Sequence, residues 1–371
     1  MNPLLIPEAQ ACEQFLHRAR QALDAHRMRE ALDWLAQAQA ACDAPTMAPA
    51  RRCEIGLMQA RAGWALYDVT QAYTGASLAL NLLEPHARAE RVEMLDIAVL
   101  CLSGAGLMDE ALELAREAVE TATQPPVLHA MLPRALGALA HAYAQLGLYD
   151  EAEMLHLQAL SRARESQEPH AMTRAYTNAL LAGALSIDEL RRRGEDQQAD
   201  AMAQRQLRLA FQARSQLDAP EMHLRQRATL LMNVGIAMMH AGRLDEAQAL
   251  FDKGLDLVRT EELPQARASL LHAQGECALL AGDLDRARHL LEPLLLPAAL
   301  QAYPFMRAPL LRNARRLFEA LGDGARAGAM AQRLEELQAD QQRQRHQAGE
   351  ALRALRRQTS QWLSGQQDLL R

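Results

Sequence analysis

The sequence predicts an all-α chain: a solenoid of about eight helical hairpins followed by one long C-terminal helix. Three observations carry this expectation. A short motif returns about every forty residues, most clearly as Gly106-Leu107-Met108-Asp109-Glu110-Ala111, Gly147-Leu148-Tyr149-Asp150-Glu151-Ala152, Gly242-Arg243-Leu244-Asp245-Glu246-Ala247 and Gly282-Asp283-Leu284-Asp285-Arg286-Ala287. A fixed period of that size marks a stack of small helical units and not one globular core. Hydrophobic residues make up 49% of the chain and aromatics only 4%, so its helices approach through Ala and Leu. After about Ala331 the period stops, and Arg333 to Gln361 holds no proline.

Each unit can be anchored on the alanine that opens its second helix: Ala31, Ala72, Ala111, Ala152, Ala199, Ala247, Ala287 and Ala327. Five residues earlier lies the turn between the two helices, where Gly106, Gly147, Gly242, Gly282 and Gly322 fall in register. Glycine fits because a helix C-terminus commonly ends in a left-handed residue. His26 and Leu66 hold that place in the first two units. Twelve residues before the anchor come Ala19, Ala60, Val99, Ala140, Gly235 and Gly275, small side chains where two helices would cross closely. Four earlier stand Phe15, Leu95, Leu136, Leu231, Leu271 and Leu311, and four past the anchor stand Leu35, Ala76, Ala115, Phe251 and Leu291. The fifth unit is longer, with continuous helices expected over 171–193 and 195–217 and Arg191-Arg192-Arg193-Gly194-Glu195-Asp196 as an exposed tip between them, either a protruding contact for a partner or effector or a solvated charged turn.

Composition excludes several functions. Net charge is −6 and pI about 6.1, so no overall basic field draws the chain to nucleic acid or to anionic lipid. Lys253 is the only lysine, which rules out a Gly-Lys-Ser/Thr phosphate loop. The five cysteines (Cys12, Cys42, Cys53, Cys101, Cys277) are irregularly spaced; reduced, mostly buried thiols and a cytoplasmic protein are expected. No apolar run reaches the roughly 18 residues of a membrane span, and the N-terminus lacks a basic-then-apolar signal pattern. HExxH and GxSxG are absent, and twelve histidines are scattered without metal-ligand spacing. Gly322-Asp323-Gly324 has the wrong spacing for a dinucleotide fingerprint. No catalytic residue, metal or cofactor is expected.

The succession of apolar residue, small residue, glycine turn and Asp-Glu-Ala resembles the tetratricopeptide repeat. Leu231-Met232-Asn233-Val234-Gly235 followed by Gly242 and Asp245-Glu246-Ala247 is the best match, then Leu136 to Ala152. The resemblance spans roughly residues 10 to 330. It departs in period, near forty where the family's is about 34, as in the lengthened repeats of bacterial signalling proteins. It implies a right-handed superhelix whose first helices face inward and bind a protein or peptide. Mapped onto this chain, the inward positions give ligand-groove candidates Arg134, His141, Asn178, Asn233, His240, His272, Glu276, Arg312 and Arg316, with Asn313 beside them. An asparagine there can bond both N–H and C=O of an extended peptide, and an arginine can pair with a carboxylate. Asn233 can equally serve to tie neighbouring helices. The lysine-based carboxylate clamp of some family members is absent.

The expected division is a repeat domain over 1–330 and a C-terminal helix over 331–371. One heptad frame puts Leu334, Leu337, Gln341, Gln344, Ala348, Ala351, Leu355, Gln358, Trp362 and Leu369 on a seam, and a second uses Leu352 in place of Ala351. Its middle is polar, so a cap on the last repeat and a dimerising helix both stand as readings. The function expected is a non-catalytic protein- or peptide-binding scaffold, sensory or regulatory in bacterial signalling. The alternative is the regulatory segment of a larger nucleotide-signalling enzyme, with a diguanylate cyclase-like domain beyond Arg371.

Overall fold

The structure, a computed structural model, describes residues 6–25, 27–41, 48–66, 68–166, 169–217, 222, 224–259, 264–302 and 306–369. Among the described residues there are helices and no strands. The chain divides into two compact units, residues 1–162 with 344–371, and residues 163–343.

The first unit holds α1 (Ile6–Asp24), α2 (Met28–Ala41), α3 (Pro49–Ala65), α4 (Val69–Leu82), α5 (Arg88–Gly104), α6 (Met108–Thr123), α7 (Leu132–Gln145) and most of α8 (Tyr149–Ser166). The second holds α9 (Pro169–Arg192), α10 (Asp196–Ala213), α11 (Leu224–His240), α12 (Leu244–Leu257), α13 (Pro264–Leu280), α14 (Leu284–Leu291), the short α15 (Pro297–Ala302) and α16 (Arg307–Ala320). The last helix, α17 (Gly324–Leu369), starts in the second unit. It is therefore the second helix of the eighth hairpin, prolonged, and not a separate element beginning near residue 331. Odd-numbered helices up to α13, and then α16, are the first members of their hairpins. They also touch from hairpin to hairpin, α1 to α3 to α5 to α7 in one unit and α9 to α11 to α13 to α16 in the other.

The turns explain why the helices stop where they do. Gly106, Gly147, Gly194, Gly242, Gly282 and Gly322 all have φ between 72° and 80°. After each, the next N–H reaches back to close the helix, as in Leu107 N–H to Leu102 O (2.9 Å) and Arg243 N–H to Met238 O (2.9 Å). This is the left-handed C-terminal cap. Gly194 makes the same turn, with Glu195 N–H to Leu190 O at 2.9 Å. The fifth hairpin thus keeps the common turn, and its extra length lies in α9. His26, one of the two departures from glycine, lies outside the described residues.

Packing follows the phased positions. All eight anchor alanines are buried. A Cβ built on Gly235 would lie 2.5 Å from Phe251 Cε1, and one on Gly275 would lie 2.6 Å from a Leu291 methyl. The small residue of one helix is the socket for the large residue of its partner. Between α3 and α4 the backbones themselves meet, since a Cβ on Gly75 would lie 2.4 Å from Ala60 N and 2.6 Å from Gly56 O.

Cys53, Cys101 and Cys277 are free and buried. Burial pushes the Cys101 thiol up to about 12 and Cys277 up to about 11, so neither is poised as a thiolate. Cys12 is disulfide-bonded, against the expectation of reduced thiols throughout. It is fully buried on α1, and helix packing can bring together cysteines that irregular sequence spacing does not pair. Cys42 lies outside the described residues. Among the described residues no helix is long and apolar enough to cross a membrane.

The interlock makes a direct prediction. Phe251→Ala should cost about 3–5 kcal/mol of stability through the cavity it leaves. Gly235→Ala alone should also destabilise, by overpacking against the ring. The double variant should lose less than the sum, because removing the ring makes room for the new methyl. Urea unfolding of the four proteins measures the cycle, and strict additivity would contradict the interlock.

Candidate functional site

The first helices of the second unit carry the site. A cavity of about 300 Å³ opens among Asp188, Arg191 and Arg192 of α9, His240 of α11, Glu276 and Leu280 of α13, and Pro309, Arg312, Asn313 and Arg316 of α16. Four guanidiniums face two carboxylates there. In a chain of net charge −6, this is a local positive excess.

The hairpin phase explains the convergence. Asp188, Glu276 and Arg316 each stand eleven residues before their anchor alanines, and Arg192, His240 and Leu280 each stand seven before theirs. Residues four apart share a helix face. Parallel first helices held in phase therefore present matching positions to one strip of surface.

Most of these groups are committed to one another. Arg191 donates from Nη1 to His240 Nδ1 (3.1 Å) and from Nη2 to His240 O (3.2 Å). Nδ1 is thus the acceptor, which leaves the proton on Nε2, and Nε2 lies 3.8 Å from Asp188 Oδ1. Burial holds the His240 imidazole below its ordinary pKa, and Arg191 adds to this. Asn313 is buried and donates from Nδ2 to His272 Nε2 (3.1 Å). The His272 ring also hydrogen-bonds the backbone of Pro309, yet burial pushes its pKa down to about 4. Asn313 hydrogen-bonds Glu276 as well, and Arg316 lies 3.9 Å from Glu276 Oε1 and 3.4 Å from Asn313 Oδ1. Burial raises the Glu276 carboxyl above its ordinary value, and Asp188 adds to the rise. Arg192 pairs with Glu189.

Arg312 differs. Among the described residues it makes no hydrogen bond and no ion pair, although it lines the cavity. Burial, and then the neighbouring Arg192, lower its pKa, and the carboxylates of Asp188 and Glu276 offset this only in part. It is a guanidinium with five donors facing a cavity and no protein acceptor.

Of the groove candidates, the cavity gathers His240, Glu276, Arg312 and Arg316, with His272 one hydrogen bond behind them. Asn178 lies exposed on α9. Asn233 is buried, and its Nδ2 donates to Thr177 O (3.1 Å), tying α11 to α9. That donor is not free to clamp a peptide. Arg134 and His141 belong to the first unit. Arg134 sits 3.3 Å from Glu93 Oε1 and 3.2 Å from Asp96 Oδ2, and Glu93 also takes two hydrogen bonds from Arg61. Burial works against the Glu93 charge, but Arg61 and Arg134 outweigh it and hold the carboxyl below its usual range. His141 is half-buried, and burial lowers its pKa.

Sequence reasoning missed Asp188, Leu280 and Pro309. It placed Arg191 and Arg192 in an exposed tip, read either as a partner contact or as a solvated charged turn, and not on the face of the first helices. Gly194 was the available signal: it stands five residues before Ala199, which sets the end of α9 in phase with the other first helices.

Comparison with known proteins agrees with this architecture. Residues 226–293 match the family described as tetratricopeptide repeat. No curated protein sequence matches the chain. A Rap protein complexed with competence and sporulation factor superposes with a TM-score of 0.61 at 14% identity, over 93% of this chain and 89% of that one. The Rap conjugation gene regulator of plasmid pLS20, in complex with the Phr* peptide, gives 0.56 at 11% identity over 90% and 96%. NprR in complex with its cognate peptide NprX gives 0.53 at 14% identity over 87% and 86%. At these identities the likeness establishes the fold, an α-solenoid of tetratricopeptide type.

The buried histidines set a pH dependence. His156 of α8 is buried, its Nε2 has no hydrogen-bond partner, and burial, with His141 nearby, pushes its pKa down to about 4. Unfolded, it titrates near 6.5. The depressed value means that the folded state disfavours the proton. Its stability contribution is therefore complete above about 6.5 and is lost as pH falls towards 4. His156 alone should contribute a loss on the order of 3 kcal/mol across that window, with His272 acting in the same sense and Glu276 opposing. Denaturant midpoints at pH 7.5, 6 and 5 should fall in that order, and His156→Leu should flatten the slope. An unchanged slope would refute the assignment.

Proposed function

We propose that this chain, a protein of tetratricopeptide repeats, is a non-catalytic peptide-binding regulator whose ligand lies along α9, α11, α13 and α16. The observation that carries this reading is the uncommitted guanidinium of Arg312 in a cavity built by four consecutive first helices. A buried or half-buried charge without a partner is unfavourable in the free protein. A ligand that supplies the partner gains what the fold lacks. The cavity's volume of about 300 Å³ is at the small end of ligand sites, enough for one or two residues of a longer segment. That two proteins of similar fold were solved with a Phr* peptide and with the peptide NprX supports a peptide over a metabolite. A regulatory role in bacterial signalling and a cytoplasmic location are part of the same proposal.

The purified full chain, incubated with a random peptide library, should retain peptides identifiable by mass spectrometry. Amide hydrogen exchange should slow in α9, α11, α13 and α16 when they bind. Retention of a small metabolite in place of any peptide would refute the reading.

For the C-terminal segment we propose packing within the first unit over the dimerising role. Leu352, the residue that distinguishes the second heptad frame, is 3% exposed and packs in the first unit's cluster with Met94, Val99, Ala138 and Ala142. Leu352 is thus used within the chain. Gln341, Gln344, Ala348, Ala351, Leu355, Gln358, Trp362 and Leu369 lie outside the described side chains. Leu352→Ala should lower stability by about 2–5 kcal/mol while the mass in solution stays that of the unaltered protein. A variant that dissociates a dimer instead would favour the coiled-coil reading.

A further inference from the structure

The chemistry of the ligand can be read from what adjoins the cavity. On α9, Leu181 and Leu185 are 44% and 54% exposed. They stand seven and three residues before Asp188, which lines the cavity, and eleven and seven before Arg192, which also lines it. That spacing is a single helix face, and Asn178, three residues before Leu181, is exposed at its head. Leu280 of α13 is 41% exposed in the cavity wall itself. An aliphatic strip therefore runs into the positive cavity, both within the second unit. At a rise of 1.5 Å per residue, Leu181 lies about 10 Å from Asp188 along the axis, a distance that about three residues of extended peptide cover.

We propose that the occupant is a peptide carrying a carboxylate that pairs with Arg312, with aliphatic side chains two to four residues before it resting on Leu185 and Leu181. This inference rests on the peptide-binding reading above and names the chemistry of that ligand. The charges favour a carboxylate over a phosphoryl group. Asp188 and Glu276 also line the cavity, and a dianion would meet both. Arg191 and Arg316 are held by His240, Asn313 and Glu276, so one uncommitted planar fork remains, the shape that takes a carboxylate through two parallel N–H bonds. The carboxylate is either the peptide's own C-terminus or an acidic side chain.

Arrays of random hexapeptides distinguish these sources. One array presents free C-termini, a second presents C-terminal amides with a terminal aspartate, and a third presents amides without any acid. The full chain, fluorescently labelled, should bind the first or the second at least tenfold more strongly than the third. Binders should be enriched in aliphatic residues two to four positions before the acid. Preference for the first array assigns the carboxylate to the C-terminus, and preference for the second assigns it to a side chain. Arg312→Ala should abolish the preference, Arg312→Lys should retain part of it, and Leu185→Ser should weaken acidic binders without removing the preference for acid. Circular dichroism melts confirm that each variant is folded. Equal binding to all three arrays, or a preference untouched by Arg312→Ala, overturns the carboxylate anchor and leaves peptide binding standing. Absence of binding to every array overturns both.

Discussion

The seat of a large side chain in a glycine socket fixes the distance and phase between helices, and everything else in the structure depends on it. Phe251 against Gly235 and Leu291 against Gly275 set this within two successive hairpins. In α3 and α4, Gly56 and Gly75 take the same logic to backbone contact. A core of this kind needs little aromatic bulk, and the chain has only 4% aromatic residues. It needs exact sizes, because interiors packed at crystal density have no slack to absorb a methyl group. The recurrent alanine at the opening of each second helix serves the same end, and all eight such alanines are buried.

Phase is what turns a scaffold into a site. When hairpins stack in constant register, residues far apart in sequence occupy equivalent places on adjacent first helices. Asp188, Glu276 and Arg316 meet in one cavity for that reason. No local motif marks them, and each taken alone is an ordinary charged residue on a helix. The cavity is a property of the period, and a search for short signatures passes over it.

This decides how much could be read from the sequence. The hairpins, their glycine turns and their buried anchors follow from residue size and left-handed caps, which are local and repeat. The register of α11, α13 and α16, which brings His240, Glu276, Arg312 and Arg316 to one cavity, also follows, because those units show the turn glycine plainly. The end of α9 did not. Three consecutive arginines before Gly194 look like a solvated loop, whereas Arg191 holds His240 and Arg192 lines the cavity. Charge masked register there. Asn233 shows the opposite limit. Its place in the repeat is that of a peptide clamp, but only its hydrogen bond to Thr177 O reveals that a neighbouring helix has taken the donor. Sequence gives the face a side chain occupies and not the partner it finds.

The two units handle charge on their first helices differently. In the first, Arg61, Glu93, Arg134 and Asp96 link α3, α5 and α7 into a ladder in which each cation has a carboxylate. Such a ladder fixes helices. In the second, the ladder from Arg191 through His240 and from Glu276 through Asn313 to Arg316 surrounds a cation that it does not hydrogen-bond, and on which Asp188 and Glu276 act only through space. Burial lowers the pKa of Arg312, so its charge is held at a cost. An arginine needed only for packing would find a carboxylate, as Arg134 does, or could be replaced by an apolar residue without loss. The groups that line the cavity with Arg312, buried Asn313 and the paired Arg191 and Arg316, are themselves fixed by hydrogen bonds. Preorganisation of this sort lowers the entropic cost of binding. That is the physical reason to look for the ligand here.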